Sequence, residues 1–282
     1  MQDKTSSRIQ LLDALRGFCI ILVVAFHIAY NLVDWDIVPS GLVYNPVLNV
    51  LQPFFAGVFI VLAGISSRFS RSNLKRGLQL TACAALVTVA SLLVLPAPFL
   101  SFKALFGISP TGAEIGALIE SGKITLHKNI LAQAAAGGMT TPGELGTLAL
   151  ASYQTPYPLL GVPITFGILH LLAVCVLLYT LLHKCKIIIP VSALGAAYLL
   201  SNGITQWPDT PSADYFPLVP WFFVFLFGVW LGGSIREGKF PKWFYEVKIP
   251  LFPAIGRKTL LIYLLHQPVL YGTLWIFEAV SD

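Results

Sequence analysis

Long, nearly uninterrupted apolar runs limit what this chain can become. Stretches near or above the ~18 residues needed to cross a ~30 Å hydrocarbon core recur at roughly residues 11–33, 47–65, 78–100, 164–182, 187–203, 217–234 and 259–279. In hydrocarbon a segment must satisfy its own backbone polar groups, so such runs resolve into helices. The chain therefore reads as an all-α, polytopic transmembrane bundle of about seven spans. Composition agrees, with 56% of residues hydrophobic, 11% charged and a mean hydropathy of +0.77, against roughly 25% charged in a soluble globular domain. A water-soluble fold is all but excluded.

Charge fixes the expected orientation, because Lys and Arg near span ends are retained on the cytoplasmic side. With the N-terminus inside and the C-terminus outside, all of the 18 Lys and Arg fall on inner segments except Lys103, Lys123 and Lys128. The acids run the other way, with Asp34, Asp36, Glu114, Glu120, Glu144, Asp209, Asp214, Glu278 and Asp282 outside. The net charge of +5 then follows from topology, and no nucleic-acid motif accompanies it. The first apolar run is interrupted by Asp13 and Arg16 and lacks a convincing small-residue cleavage site, so it reads as an uncleaved helix. Cys19, Cys83 and Cys175 lie in spans and Cys185 in an inner loop, a distribution that suits neither a disulfide framework nor a metal site.

Residues 1–282 read as one domain carrying an extracytoplasmic insertion at about 101–163. A structureless connection of that length would be unusual, and the segment is predicted to hold short helices, chiefly Gly116 to Glu120 and Asn129 to Ala136. The inner loop 235–258 mixes basic residues with Phe240, Trp243, Phe244 and Phe252, a composition at home along the cytoplasmic interface.

Ionisable groups inside spans are costly and are therefore functional candidates. In the first span, Arg16 and His27 are eleven positions apart. At 100° per residue that comes within about 20° of three full turns, so they share a face, with His27 about 16 Å further along the axis. Asp13, Asn31 and Asp34 extend the stripe at either end. His266 enters the last span from the cytoplasmic end and His170 the fourth from outside, each about 10 Å deep. Asp13, His27 and His266 are thus candidate catalytic groups. Arg16 with the inner-face Arg68, Arg257 and Lys258 is a candidate anion site, because guanidinium matches phosphate through its bidentate fork. Asn31, Asp34, His170, Asp214 and Trp221 lie toward the outside, where a substrate would meet them. The bland alternatives are a snorkelling Asp13–Arg16 pair, interhelical hydrogen bonds for the histidines, and an interfacial anchor for Trp221.

Five segments carry a resemblance to a known family: LDALRGFCIILVVAFHIAYNL, FFAGVFIVLAGISSRFSR, FGILHLLAV, DYFPLVPWFFVFLFGVWLG and IGRKTLLIYLLHQPVL. The chain resembles bacterial membrane proteins related to the catalytic domain of heparan-α-glucosaminide N-acetyltransferase, within the wider transmembrane acyltransferase superfamily. The resemblance implies acyl transfer across the inner membrane, from cytoplasmic acetyl-CoA as co-substrate to a hydroxyl or amine of an extracytoplasmic glycan or cell-envelope sugar. It further implies that Arg16 and its basic neighbours hold the CoA phosphates and that His27 meets the thioester as general base or as an acetyl-histidine. The long 101–163 connection departs from the short bacterial members. The lipid bilayer is an expected partner, a homodimer is admitted, and neither a metal nor a nucleic acid is expected. The competing readings are a proton-coupled transporter using Asp13, Arg16, His27 and His266, and a partner-binding membrane protein without chemistry. The lack of an internal repeat counts against the transporter.

Overall fold

The computed structural model describes residues 9–35, 37–153, 155–183 and 211–281. Among them the chain is helical, with no strand. Five helices are long and apolar enough to cross a membrane: α1 (Gln10–Asp34), α2 (Pro46–Phe69), α3 (Asn73–Leu93), α10 (Leu218–Arg236) and α13 (Thr259–Ser281). The expected span at 164–182 is a shorter apolar helix, α9 (Ile168–Leu182), of 15 residues, about 22 Å long. The expected span at 187–203 lies outside the described residues.

One boundary moves. The third span, expected at 78–100, forms at Asn73–Leu93. Ser72 caps its start by accepting from the Lys75 amide at 3.3 Å. Pro96 and Pro98 then break the apolar run, because the residue before a proline is pushed away from helical geometry.

The chain divides into two compact units, one drawn from residues 1–77, 175–205 and 218–282, the other from 78–174 and 206–217. In the first, α2 and α10 pack most closely because glycines notch both helices. A Cβ on Gly64 would collide with the Phe225 carbonyl, and one on Gly228 with that of Val61, the small-residue packing that lets membrane helices approach. Two short helices, α11 (Lys242–Glu246) and α12 (Phe252–Gly256), follow α10. The α12 helix lies directly on α1, where a Cβ on Gly17 would strike the Phe252 carbonyl and one on Gly256 that of Asp13. Leu12, Cys19, Leu62, Ile65, Ile235 and Phe244 form a buried core here.

The second unit holds the long connection, with α4 (Pro98–Leu105), α5 (Gly112–Glu120), α6 (Lys128–Ala136), α7 (Pro142–Ser152) and α8 (Tyr157–Leu160). Both expected helical pieces, Gly116 to Glu120 and Asn129 to Ala136, fall within α5 and α6. Ile115, Ala149 and Leu160 are fully buried at its centre. Reciprocal capping boxes open α5 (Thr111 with Glu114) and α7 (Thr141 with Glu144). The Thr111 amide donates to the Glu114 carboxylate at 2.8 Å and holds its pKa below the ordinary carboxyl value, helped by the Thr111 hydroxyl. At Glu144 the Thr141 hydroxyl, at 2.8 Å, has the larger effect in the same direction.

Candidate functional site

The buried face of α1 contains Asp13, Gly17, Ile20 and Asn31, and Asp13, Ile20 and Asn31 lie on the side of the helix that Arg16 and His27 share. Helix α13 packs along it. The rings of His27 and His266 meet edge to face with centroids 4.8 Å apart and planes at 73°. One turn further on, the Asn31 side-chain amide donates to the Gln267 side-chain oxygen, Oε1, at 3.0 Å. Asn31 is 2% exposed and His266 8%, so this polar seam is buried between two apolar helices.

Each imidazole is oriented by its own helix. His27 Nδ1 lies 2.8 Å from the Val23 carbonyl oxygen, and His266 Nδ1 lies 2.7 Å from that of Tyr263. A carbonyl only accepts, so both Nδ1 atoms carry the proton in the neutral rings and Nε2 is the basic nitrogen of each. A histidine set in this way can take a proton at Nε2 without first changing tautomer.

The opposite end of α1 is cationic. Arg16 Nη1 pairs with Asp13 Oδ1 at 3.0 Å, and its Nη2 donates to Ser66 of α2. Asp13 is 3% exposed. It lies fourteen residues from His27, about 21 Å of helix rise, so its contact is with Arg16 and not with the histidine. Arg76 reaches back from α3 to the Ala63 carbonyl at 3.3 Å and the Ser67 hydroxyl at 3.2 Å, close enough to Arg16 for mutual repulsion. Arg68 donates to the Tyr179 hydroxyl at 3.3 Å, while its buried Nε has no hydrogen-bond partner among the described residues. Arg257 and Lys258, both exposed, follow directly from the Gly256 contact with Asp13. Three guanidiniums are thus arranged about the Ser66-Ser67-Arg68 turn, with Asp13 paired to Arg16. Such a set fits a polyphosphate, whose oxygens match the guanidinium fork.

A family model described as heparan-alpha-glucosaminide N-acetyltransferase, catalytic, matches residues 8–142 and 147–268. The chain belongs to this family. Membership implies a transmembrane acetyltransferase-like activity, and the long apolar helices are those of a multi-pass membrane protein. The match takes in the whole polar seam, from Asp13 and Arg16 through His27 and Asn31 to His266 and Gln267. No curated protein and no solved structure matches the chain.

The remaining candidates of this acetyltransferase-family chain make contacts of their own. Asp34 is exposed at the end of α1. Trp221 packs its ring against Gly57 in the first unit. His170 belongs to the second unit and is engaged at both nitrogens. Gly167 N–H donates to Nδ1 at 3.2 Å, and Nε2 lies 2.9 Å from Thr88 Oγ1, whose hydrogen goes to the Ile164 carbonyl at 2.7 Å. That is the geometry of a histidine holding a turn together. Asp214, in the same unit, lies beside Gly167, where an added Cβ would come within 2.8 Å of its carboxylate. Among the described residues no cluster of three or more His, Cys, Asp or Glu could hold a metal.

Sequence reasoning missed Gln267 and Arg76 as site residues. Gln267 had a signal, a second polar residue beside His266 in LLHQPVL. Arg76 had none, because it reads as one more inner-loop cation until its side chain is seen to reach the Ala63 carbonyl and the Ser67 hydroxyl of α2.

Proposed function

We propose that this protein transfers an acetyl group from cytoplasmic acetyl-CoA to a hydroxyl or amine of an extracytoplasmic glycan or envelope sugar, with His27 as general base. The observation that carries the reading is the pairing of His27 and His266 at 4.8 Å, on the same face of α1 as the Arg16 cluster and about 16 Å from it. Family membership supports acetyl transfer over a proton-coupled transport path. The cationic end of α1 supports a cytoplasmic N-terminus and an inner-membrane location.

Acetyl-CoA supplies the activated acetyl thioester; the protein's residues do the rest. Arg16, Arg68 and Arg76 hold the phosphates, with Asp13 orienting Arg16, and exposed Arg257 and Lys258 sit where the approaching polyanion meets them first. The separation from Arg16 to His27 suits a pantetheine arm. His27 Nε2 takes the proton from the acceptor O–H or N–H as that atom attacks the thioester carbon. The C–S bond then breaks, and the same proton returns from Nε2 to the departing sulfur. A second route, in which Nε2 itself carries the acetyl group, uses the same nitrogen.

The test is thermal stability in detergent with acetyl-CoA, CoA or ATP, in wild type, Arg16→Ala and Arg76→Ala. A ligand at 100 times its Kd adds about 2.7 kcal/mol. Stabilisation by CoA species alone, lost in both variants, supports the donor site. No shift at saturation rejects the acetyl-CoA reading.

A further inference from the structure

An open groove of about 480 Å³ runs between α1, α2 and α10 of the first unit, floored by core residues such as Leu12, Leu62 and Ile65. Its volume falls within the range of small-molecule sites. Leu15, Val58, Trp221 and Ile235 are among its walls, and Phe240 and Phe244 lie at one end. No charged or hydroxyl side chain lines it.

The end at Phe240 and Phe244 differs from the rest. It is framed by Arg236, Lys239 and Lys242, all exposed, and by Trp243, which is 63% exposed. An exposed Trp beside basic residues marks the headgroup level of a bilayer. Glu237 pairs with Lys239 at 2.6 Å, and Arg236 donates to the Arg68 carbonyl at 3.4 Å. The rim therefore carries Arg236, Lys239 and Lys242 against Glu237 and Glu246, the latter one turn along α11 from Lys242, and Lys242 makes no ion pair among the described residues.

An apolar channel in the hydrocarbon zone, opening onto cations at the headgroup level, is complementary to one class of molecule. We propose that the groove is a binding site for one anionic phospholipid of the leaflet on the basic side. One acyl chain lies in the groove, and the phosphate rests on Lys242 and Arg236. A zwitterionic lipid would fill the channel equally well but would gain less at the rim, where each basic residue near the surface is worth about 1 kcal/mol toward an anionic headgroup. The groove shares Leu12 and Leu15 with α1, so the bound chain braces the helix that carries Arg16.

Native mass spectrometry of the detergent-purified protein tests this, with phosphatidylglycerol and phosphatidylcholine of matched chains added back in turn. Wild type should hold one phosphatidylglycerol more tightly than phosphatidylcholine. Lys242→Ala should weaken phosphatidylglycerol roughly fivefold and leave phosphatidylcholine unchanged. Leu15→Trp, which fills the groove from α1, should reduce both, and Val58→Phe reads the same filling from α2 should the first variant misfold. Equal retention of the two lipids by wild type would overturn the proposal, as would wild-type retention in a groove-filled variant that keeps its melting temperature. The readout is independent of acetyl-CoA and of any acceptor.

Discussion

At the scale of single residues, the geometry of His27 makes a sharp demand. Its Nδ1–H is committed to the Val23 carbonyl, so the nitrogen left for the proposed general base is Nε2, and under that proposal a side chain without that nitrogen cannot replace it. His27→Ala should lower acetyl transfer at least ~10²-fold while leaving the thermal shift with CoA intact, because the proposed phosphate anchors lie at the other end of α1. Unchanged turnover would remove His27 from the chemistry. Much of this was legible in the sequence, since the shared face of Arg16 and His27 follows from helix periodicity alone. The partners were not. Nothing in the spacing says that His266 meets His27, because depth in the bilayer leaves rotation about each helix axis undetermined.

At the scale of helices, the closest seam is α2 against α10. Gly64→Leu would drive a side chain into the Phe225 backbone and should lower stability by about 1–3 kcal/mol, read as a depressed melting temperature in detergent. A variant as stable as wild type would mean that this seam yields. The capping boxes of α5 and α7 make a pH prediction. The Glu114 and Glu144 carboxyls titrate below their ordinary value when folded, so their contribution is fully present above the unfolded value of about 4.3 and is lost as pH falls through the folded one. Amide-exchange protection at the starts of α5 and α7 should hold from neutral pH to about 5 and decline below, and Glu114→Gln should flatten that decline at α5. A decline centred on neutral pH would contradict the assignment. The helices of the long connection were legible from their Gly and Pro punctuation. The shift of α3 to Asn73–Leu93 was legible only in part. Hydropathy ran on to residue 100, and local backbone sterics at Pro96 and Pro98 ended the helix sooner.

At the scale of the whole molecule, the charge distribution predicts a topology. Reporter fusions active only in the cytoplasm should function at the N-terminus, and periplasm-active reporters at the C-terminus. The reverse pattern would place the arginine cluster on the wrong side for a cytoplasmic donor. The same asymmetry separates acetyl transfer from transport: in proteoliposomes the protein should release CoA when acceptor is present and leave a proton gradient undisturbed.

The sequence by itself determined the all-helical class, the long apolar helices, the cationic end and the polar stripe on α1. Each of these depends on composition or on a period of one helix, which the chain carries locally. The tertiary structure decided which stripe faces which. It closed His27 on His266 and Asn31 on Gln267, and it folded Arg76 back beside Arg16. It set Arg16 against Ser66 and tied His170 to Thr88. Those outcomes depend on helix rotation and on close approach at Gly17, Gly64, Gly228 and Gly256, where backbones meet because no side chain intervenes. Contacts of that kind join residues far apart in sequence, and no local pattern encodes them.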